Sequence, residues 1–339
     1  MDAYNSRLGA AGATLLTATG LRPEAFALCC NYVLRQTYTG AMQWVVVDDG
    51  HPRMDFSFDA HLARGIDVTR IYPLPSWVPG QNTLARNLVA GLREARHEWI
   101  FFIEDDEWYA PDYVEIQLRH LQQWQEGILM LGERPAVYYN VEKQLYAVLK
   151  NNIHASLCQT VIHRSLGPLL ERVCQAGSDS IDIRLWQQVR AEQKGLHEGQ
   201  RSLGIKGMPG RPGLGTGHRP ALSGIRWAYD GTWRYLESVI GEDYLHYKAI
   251  STKEMEGEFE IFFWQGQKRY RCNQKWANGT PCSYDTFDYQ TLLDHIKEPH
   301  GRSRKTKAAP VASFILGPDG EPLVHDTPEV PGVEFKDED

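Results

Sequence analysis

The sequence predicts an α/β protein in which a largely parallel sheet is covered by helices on both faces. In the N-terminal half, apolar runs typical of strands alternate with helical patterns, and several of these runs end in acidic residues. Strand–helix–strand repeats of this kind build parallel sheets. The chain has 339 residues, of which 42% are hydrophobic and 11% aromatic, so it can fill a sizeable core and is not disordered.

Each element is marked by its apolar pattern and by its ends. The first strand stops at Gly20, and Pro23 stands in the first turn of the helix that follows. In order, the predicted elements are a strand at 13–19, a helix at 23–36, strands at 44–50 and 68–75, a helix at 82–96, an apolar strand from Trp99 into the acids before Tyr109, a helix from Pro111 to about Gly127, and an amphipathic packing helix at 232–250.

Two acidic clusters lie at the ends of predicted strands. Asp48 and Asp49 end one strand, and Glu104–Glu107 follow another. Ligands of such sheets bind beyond the carboxyl ends of the strands. Crowded carboxylates repel one another, and hard oxygen ligands suit Mg²⁺ or Mn²⁺, which commonly bridge to substrate phosphates. A solvated turn after the strand is the alternative explanation of the second cluster.

In this order, over about residues 11–230, the motifs resemble those of family 2 glycosyltransferases with the GT-A fold. LLTAT and RQTYTG are similar to the family's first strand and the end of its first helix, and VVDDG matches residue for residue. Asn82, Arg86 and Asn87 approximate its N-x-x-x-A-x-N helix. Glu104-Asp105-Asp106 takes the place of the acidic DxD-type motif, with a glutamate in the first position.

The resemblance implies transfer of a sugar from a nucleotide-diphosphate donor, such as a UDP-sugar, to an acceptor hydroxyl. The ion would neutralise charge that develops on the leaving group. The residues implied in donor binding are Thr17, Thr19, Asp48, Asp49, Asn82, Arg86 and Arg211. Those implied in binding Mn²⁺ or Mg²⁺ are Glu104, Asp105, Asp106 and His218.

An inverting transferase also needs a carboxylate base near the acceptor hydroxyl. The corresponding stretch is AGSDSIDIRLWQQV, in which Ser178 is expected to cap a helix and Asp179 and Asp182 to share its first turn. We expect the base to be Asp179 ahead of Asp182, although Ser178 replaces the family's usual glutamate. Alternatively, both carboxylates simply complement the helix dipole.

The segment 204–220 has six glycines and three prolines, which predicts neither a helix nor a central strand. We interpret it as a lid over the diphosphate, with positive charge from Lys206, Arg211 and Arg219. A flexible linker is the alternative. Its spacing does not match a Walker loop.

A further module is predicted near the C-terminus. Cys272, Cys282, His295 and His300 give the spacing C-x9-C-x12-H-x4-H, which resembles a two-Cys two-His zinc finger with an enlarged first knuckle. So short a segment would depend on Zn²⁺ for its folding energy. Residues 264–310 have nine basic and four acidic side chains, with interleaved aromatics. This composition suits contact with nucleic acid, but a purely structural zinc module is the equal alternative.

We therefore predict a GT-A domain at 1–255, a zinc-finger-like module at 256–310 and a flexible acidic tail at 311–339. The preferred function is a metal-dependent glycosyltransferase. The basic finger suggests a hydroxymethylated pyrimidine in DNA as its acceptor, as in a viral (phage) DNA-modifying enzyme. The alternatives are a saccharide or glycan acceptor, a nucleic-acid-binding protein on an inactive transferase scaffold, and a nucleotidyltransferase.

The overall charge and the cysteines bear on partners and compartment. The net charge is −7, but the tail alone contributes −7 and the finger region +5, so the sum does not exclude a polyanionic partner. Several of the six cysteines lie in apolar patterns rather than in a disulfide framework. No apolar run is long enough for a membrane span, and the N-terminus lacks an apolar signal core. We expect a cytoplasmic protein, in the host cytoplasm if it is viral.

Overall fold

The computed structural model describes residues 11–124, 127–213, 218, 225–252, 259–264, 267–272, 284–288, 291–292 and 295. The strands are β1 (Ala13–Thr19), β2 (Met42–Asp48), β3 (Ile66–Ile71), β4 (Trp99–Phe102), β5 (Trp108–Tyr109), β6 (Met130–Arg134), β7 (Ala136–Asn140), β8 (Leu145–Leu149), β9 (Thr160–His163), β10 (Lys194–Glu198), β11 (Ser202–Lys206), β12 (Ala228–Tyr229), β13 (Phe259–Trp264), β14 (Gln267–Cys272) and β15 (Asp285–Thr286).

Helices connect most of the strands of the first two hundred residues. Short 3₁₀ turns lie at Leu157–Gln159, Arg164–Leu166, Ala191–Gln193 and Gly241–Asp243. The α-helices are α1 (Pro23–Leu34), α2 (Asp59–Ala63), α3 (Leu84–Glu94), α4 (Tyr113–Gln123), α5 (Gly167–Gln175), α6 (Ile181–Gln188), α7 (Arg234–Ile240) and α8 (Tyr244–Thr252).

The main sheet has seven strands in the order β10-β6-β9-β4-β1-β2-β3. β1 pairs in parallel with β2 and β4, so the loops that follow these three strands share one edge of the sheet. β9 runs antiparallel to both of its neighbours, β4 and β6. The predicted α/β class is therefore confirmed as a mixed sheet flanked by helices.

The two faces of the main sheet are covered by different side chains. Leu15 of β1 belongs to a core rich in aromatic residues, which includes Trp44 and Phe101. The next residue, Leu16, belongs to a second and more aliphatic core, which includes Leu88. This alternation along a strand that is buried on both faces explains why the strand sequences are continuously apolar.

A second sheet has five strands in the order β12-β8-β7-β11-β5. β11 lies between β7 and β5, so the prediction that 204–220 contains no central strand is wrong for its first three residues. The glycine is what permits the strand here, because a Cβ on Gly204 would lie 2.2 Å from Cδ1 of Tyr138 on β7. This strand delivers Lys206 to the end of the sheet.

The predicted packing helix at 232–250 is two helices rather than one. α7 ends at Ile240, and α8 begins at Tyr244 after a short 3₁₀ turn. Gly241 has a φ of +60°, a backbone conformation that interrupts a helix and that glycine adopts without strain.

Near the C-terminus, β13, β14 and β15 form a three-stranded antiparallel sheet. Cys272 at the end of β14 is buried, and the ring of His295 stacks on that of Tyr284 at a centroid distance of 3.9 Å. The other two predicted zinc ligands, Cys282 and His300, lie outside the described residues, as do Arg219, the predicted boundary at 255 and the tail at 311–339. The zinc site and the three-segment division stay predictions.

Among the helices that the structure describes, none is both long and apolar enough to cross a bilayer.

Candidate active site

A cavity of about 850 Å³ opens at the edge of the main sheet where β1 and β4 end. Sites for drug-sized ligands commonly have volumes of about 300–1,000 Å³. The residues that line it include Thr19, Arg22, Asp106, Asp182, Lys206 and His218. These come from segments almost 200 residues apart, and the strand ends bring them together.

Arg22 neutralises two of the acidic residues that follow β4. Its Nη1 donates to Oδ1 of Asp105 at 2.9 Å and to Oδ2 of Asp106 at 2.8 Å. Thr19, the last residue of β1, donates to the other oxygen of Asp105 at 2.7 Å. Burial by itself lowers the pKa of Arg22, but the carboxylates of Asp106, Asp105 and Glu104 outweigh it and raise that pKa. Arg22 is therefore charged. Burial raises the pKa of Asp105, although Arg22 lowers it, whereas at Asp106 the lowering by Arg22 and Lys206 outweighs burial and brings the pKa to about 2.

Glu107 and Lys206 form a buried ion pair in the lining of the cavity. The second oxygen of the Glu107 carboxylate accepts the backbone N–H of Ile205, so this carboxylate is bound to β11 at two points. Burial lowers the pKa of Lys206, whereas the nearby carboxylates of Glu107, Asp106 and Glu104 raise it, and the raising effect dominates. Lys206 is thus a fixed cation of a strand and not part of a lid.

His218 lies beside Asp106, and both residues are among those expected to bind the metal ion. Its Nε2 is 3.8 Å from Oδ2 of Asp106. Burial lowers the pKa of His218 to about 3, with further lowering by Lys206 that outweighs the opposite effect of Asp106. The imidazole is therefore neutral at physiological pH and keeps a nitrogen lone pair for a ligand.

Glu107 and Glu104 both have raised pKa values, and burial is the main cause at each. At Glu104, burial raises the pKa to about 7; Lys206 lowers that pKa, and the carboxylates of Asp106, Asp182 and Asp105 raise it further. Among the described residues, Glu104, Glu107 and the thiol of Cys158 are the group whose ligand atoms lie mutually within 4.8 Å. Since Lys206 already pairs with Glu107, the negative charge of these three side chains is partly neutralised without a metal ion.

Asp49, at the end of β2, accepts hydrogen bonds from four side chains. Nη2 of Arg86 and Nδ2 of Asn87 each lie 2.9 Å from Oδ2, which also accepts the hydroxyl of Thr83. Nη1 of Arg211 lies 2.7 Å from Oδ1. Asp49 is fully buried and joins α3, the glycine-rich segment and β2 into one wall of the cavity. Its neighbours include the two arginines predicted at the donor site.

Three other predicted donor-site residues lie behind or beside that wall. Thr17 is buried and accepts the indole N–H of Trp44 at 2.9 Å. Asp48 accepts the backbone N–H of Gly50 at 2.9 Å, and burial raises its pKa. Asn82 is exposed and lines the cavity. Of these three, Asn82 is the one that reaches the cavity.

The predicted cap by Ser178 is wrong, because α6 begins only at Ile181 after Ser180 in a left-handed conformation. The Ser178 hydroxyl instead bonds to α3 and its preceding loop, donating to the carbonyl of Asn82 at 3.1 Å and accepting the N–H of Ala85 at 3.2 Å. Asp179 therefore precedes the helix, and Asp182 alone of the two lies in its first turn. Both carboxylates line the cavity.

Arg22, Trp77 and His154 are among the cavity residues that were not predicted from the sequence. Arg22 lies between the end of β1 and Pro23, which opens α1, so its place at the carboxyl end of a strand is a signal that was available. Trp77 lies under Arg211, whose guanidinium carbon is 4.5 Å from the ring centroid. No sequence pattern marks Trp77 or His154.

Residues 76–155 match the family model "Glycosyl transferase family 2". The matched stretch contains α3, β4, the acidic residues after β4, and β6 to β8. This match confirms the prediction of a glycosyltransferase that was drawn from the motifs. No curated protein matches the chain.

Solved structures to which this chain is similar include TarS from S. aureus, with 10% identity, a TM-score of 0.42, and coverage of 57% of this chain and 36% of that one. Another is the mannosyltransferase PcManGT from Pyrobaculum calidifontis in complex with GDP-Man and Mn²⁺, with 15% identity, a TM-score of 0.41, and coverage of 59% and 58%. A third is TarS 1-349 with UDP-GlcNAc, with 9% identity, a TM-score of 0.38, and coverage of 60% of each chain. The chain thus spans about a third to three fifths of the length of these proteins.

Proposed function

We propose that the chain transfers a sugar from a nucleotide-diphosphate donor to an acceptor hydroxyl, with a divalent ion bound among the acids of the cavity. The observation that carries this proposal is the meeting of Asp106, His218 and Arg22 in one cavity at the carboxyl ends of β1 and β4. Acids, a neutral imidazole and a guanidinium together suit an ion and a diphosphate.

The charge balance of the cavity supports a bound cation. Four acidic residues, Glu104 to Glu107, face two bound cations, Arg22 and Lys206. Burial, with a smaller contribution from the neighbouring carboxylates, raises the pKa of Glu104 to about 7, and a divalent ion would lower that pKa.

The residues that would hold the ion are Asp106 and His218, with Glu104 or Asp105 as a further ligand. Two ligands at about 2.1 Å from an octahedral ion lie about 3 Å apart when adjacent and about 4.2 Å apart when opposite. The observed 3.8 Å between Nε2 of His218 and Oδ2 of Asp106 lies between these two values, so a shift of under about 1 Å in either side chain would let both bind one ion. When bound, the ion would neutralise charge on the departing diphosphate.

The nucleoside would lie against the wall that Asp49, Trp77 and Arg211 build. Trp77 offers an aromatic face for a base, and it already packs under a guanidinium. Asp49 holds Arg211 and Arg86 in place and thereby shapes this part of the cavity. Asp49 thus supports donor binding by positioning the two arginines.

The acceptor hydroxyl would give its proton to Asp179 as its oxygen attacks the anomeric carbon and the bond to the diphosphate breaks. Asp179 is exposed at the cavity, and Nδ2 of Asn82 approaches its Oδ1 at only 3.4 Å. Asp182 is half-buried and close enough to raise the pKa of Glu104, so it belongs with the acids around the ion.

The test is incubation of the full chain with a panel of nucleotide sugars and Mn²⁺, followed by assay of donor hydrolysis. We expect hydrolysis of one donor class that EDTA abolishes. The matched variants are Asp106→Asn, which should lose activity, and Asp67→Asn at an exposed ion pair, which should keep it. Absence of hydrolysis and of donor binding with every nucleotide sugar would refute the function.

For the acceptor we propose DNA that carries hydroxymethylated pyrimidines, as in a viral enzyme that modifies DNA. This rests on the basic residues of 264–310 and on a β-sheet with Cys272 buried at the end of β14. Tyr270 of that sheet donates to Oε1 of Glu142 at 3.3 Å, so the sheet contacts the catalytic part. A saccharide acceptor is the competing outcome.

Mass spectrometry of hydroxymethylated DNA, unmodified DNA and a saccharide panel after incubation with mixed donors distinguishes the acceptors. A mass gain confined to hydroxymethylated DNA supports the proposal, and transfer to saccharides alone overturns it. If residues 311–339 compete with DNA for the basic region, deleting them should strengthen binding, with a steep inverse salt dependence.

A further inference from the structure

Arg22 occupies the position that the proposed ion requires. A single nitrogen, Nη1, is bound at once to Oδ1 of Asp105 and to Oδ2 of Asp106. That same Oδ2 is the atom nearest His218, at 3.8 Å. An ion at Asp106 and His218 would therefore bind beside a guanidinium nitrogen that already holds one of its ligand atoms.

The two cations do not share this oxygen favourably. In a cavity of low dielectric, a divalent ion and a guanidinium a few ångströms apart repel strongly. Asp105 has a second partner, Thr19, whereas the other group near Oδ2 of Asp106 is His218, which would itself bind the ion. Of the two bonds that Arg22 makes to acids, the one to Asp106 is therefore the one an ion would displace.

Arg22 is also equipped to bind a diphosphate. It lines the cavity, and its side chain is 14% exposed. Among the described residues, its hydrogen bonds are made by Nη1 and by Nε, which donates to the carbonyl of Arg211 at 2.8 Å, while Nη2 makes none. The Nη2 group is thus available to donate to a phosphate oxygen, and Nη1 would join it once its bond to Asp106 is broken.

We propose that Arg22 exchanges partners: it neutralises Asp105 and Asp106 in the ligand-free protein and binds the donor diphosphate once a divalent ion has displaced it from Asp106. The inference rests on the proposed function and adds a regulation to it. Arg22 competes with the ion when no donor is present and joins the donor when one is, so ion and donor favour each other's binding.

The test compares Mn²⁺ binding to the full chain and to Arg22→Gln by calorimetry, without nucleotide and with UDP or GDP. We expect Arg22→Gln to bind Mn²⁺ alone about tenfold more tightly than wild type, because its competitor is gone. With saturating Mn²⁺, we expect it to bind the nucleoside diphosphate about tenfold more weakly. Wild type should bind Mn²⁺ more tightly when the nucleotide is present.

Two further variants keep the test decisive. Arg35→Gln breaks another partly buried ion pair, with Asp243, and should change neither affinity. If Arg22→Gln does not fold, Arg22→Lys replaces it in the test. The lysine ammonium still competes with Mn²⁺, but it lacks the planar guanidinium. Nucleoside diphosphate binding should therefore weaken about fivefold or more.

The outcomes separate the two proposals. If wild type binds neither Mn²⁺ nor any nucleotide, the proposed function fails with this inference. If wild type binds both and Arg22→Gln leaves the Mn²⁺ affinity unchanged or weaker, only the exchange of partners is overturned. Unchanged nucleotide affinity in Arg22→Lys overturns it as well.

Discussion

Nη1 of Arg211 lies 2.7 Å from Oδ1 of Asp49, and this ion pair ties the glycine-rich segment to the carboxyl end of β2. The two residues are 162 positions apart, and the Asp49 side chain is fully buried. A single carboxylate thus holds α3 and the glycine-rich segment against β2. The wall proposed to receive the nucleoside depends on it.

Asp49→Asn should destabilise the fold, because an amide presents N–H groups to donors that now meet a carboxylate. Removing one partner of a buried charge network costs about 3–5 kcal/mol. Urea unfolding measures the loss. Asp67→Asn is the control, since that carboxylate is 54% exposed in its pair with Arg96 and should cost under about 1 kcal/mol. Equal losses in the two variants would contradict the role given to Asp49.

Glu133 predicts a pH dependence of stability away from the cavity. It is fully buried, and burial raises its pKa from 4.5 to about 7, although the N–H groups of Arg201 and Ser202 lower it. The folded protein therefore binds more protons than the unfolded chain between these two values. The free energy of unfolding should fall as pH rises from about 4.5 through about 7 and level off above, by on the order of 3 kcal/mol from this group.

Glu133→Gln should remove this part of the pH dependence, because an amide does not titrate and still offers an oxygen to the same N–H groups. Urea unfolding at pH 5 and at pH 8 gives the difference. Glu198→Gln, at a carboxylate 73% exposed, should leave the slope as it is in wild type. A slope unchanged by Glu133→Gln would show that Glu133 is not the titrating group.

Gly204→Ala should disrupt the strand that carries Lys206. The added Cβ would lie 2.2 Å from the Tyr138 ring and 3.2 Å from the carbonyl oxygen of Val137, and overpacking of this kind costs about 1–3 kcal/mol. Gly167→Ala is the matched control, since its nearest neighbour would be Leu92 at 3.6 Å, an ordinary contact. Thermal unfolding compares the two, and a Gly204→Ala protein as stable as the control would refute the tight packing.

Asp179→Asn tests the proposed base. We expect kcat to fall by about 100- to 10,000-fold, with Mn²⁺ and nucleotide affinity unchanged, because the carboxylate acts on the acceptor proton. Asp182→Asn should alter Mn²⁺ affinity instead, since Asp182 acts on Glu104. Full activity in Asp179→Asn together with lost activity in Asp182→Asn would move the base to Asp182.

Much of the fold follows from local pattern. β1, β2 and β4 were predictable because strands buried on both faces are continuously apolar, and Asp48 and Glu104 mark where β2 and β4 end. The place of His218 beside Asp106, by contrast, was expected from a resemblance and not from spacing. Composition alone gives no sign that two residues 112 positions apart in the chain lie side by side in the fold.

The failures have physical causes in long-range contacts. Ser178 was expected to cap a helix, but Asn82 and Ala85 of another segment bind its hydroxyl. Lys206 was assigned to a lid, yet Glu107 fixes it on a strand whose glycine accommodates the ring of Tyr138. Arg22 was overlooked because its partners are more than 80 residues away. Local signals were available for two of these errors: Gly241 for the break in the helix, and the carboxyl end of β1 for the place of Arg22.

The central claim is that Asp106 and His218 support metal-dependent binding of a nucleotide sugar. Calorimetry of the full chain with the nucleotide-sugar panel, with and without Mn²⁺, tests it most directly, beside Asp106→Asn and His218→Ala. The account predicts that one nucleotide sugar binds only when Mn²⁺ is present, with a stoichiometry of about one per chain. Both variants should weaken this binding at least about tenfold. Donor binding that is indifferent to Mn²⁺ and to both substitutions would contradict it.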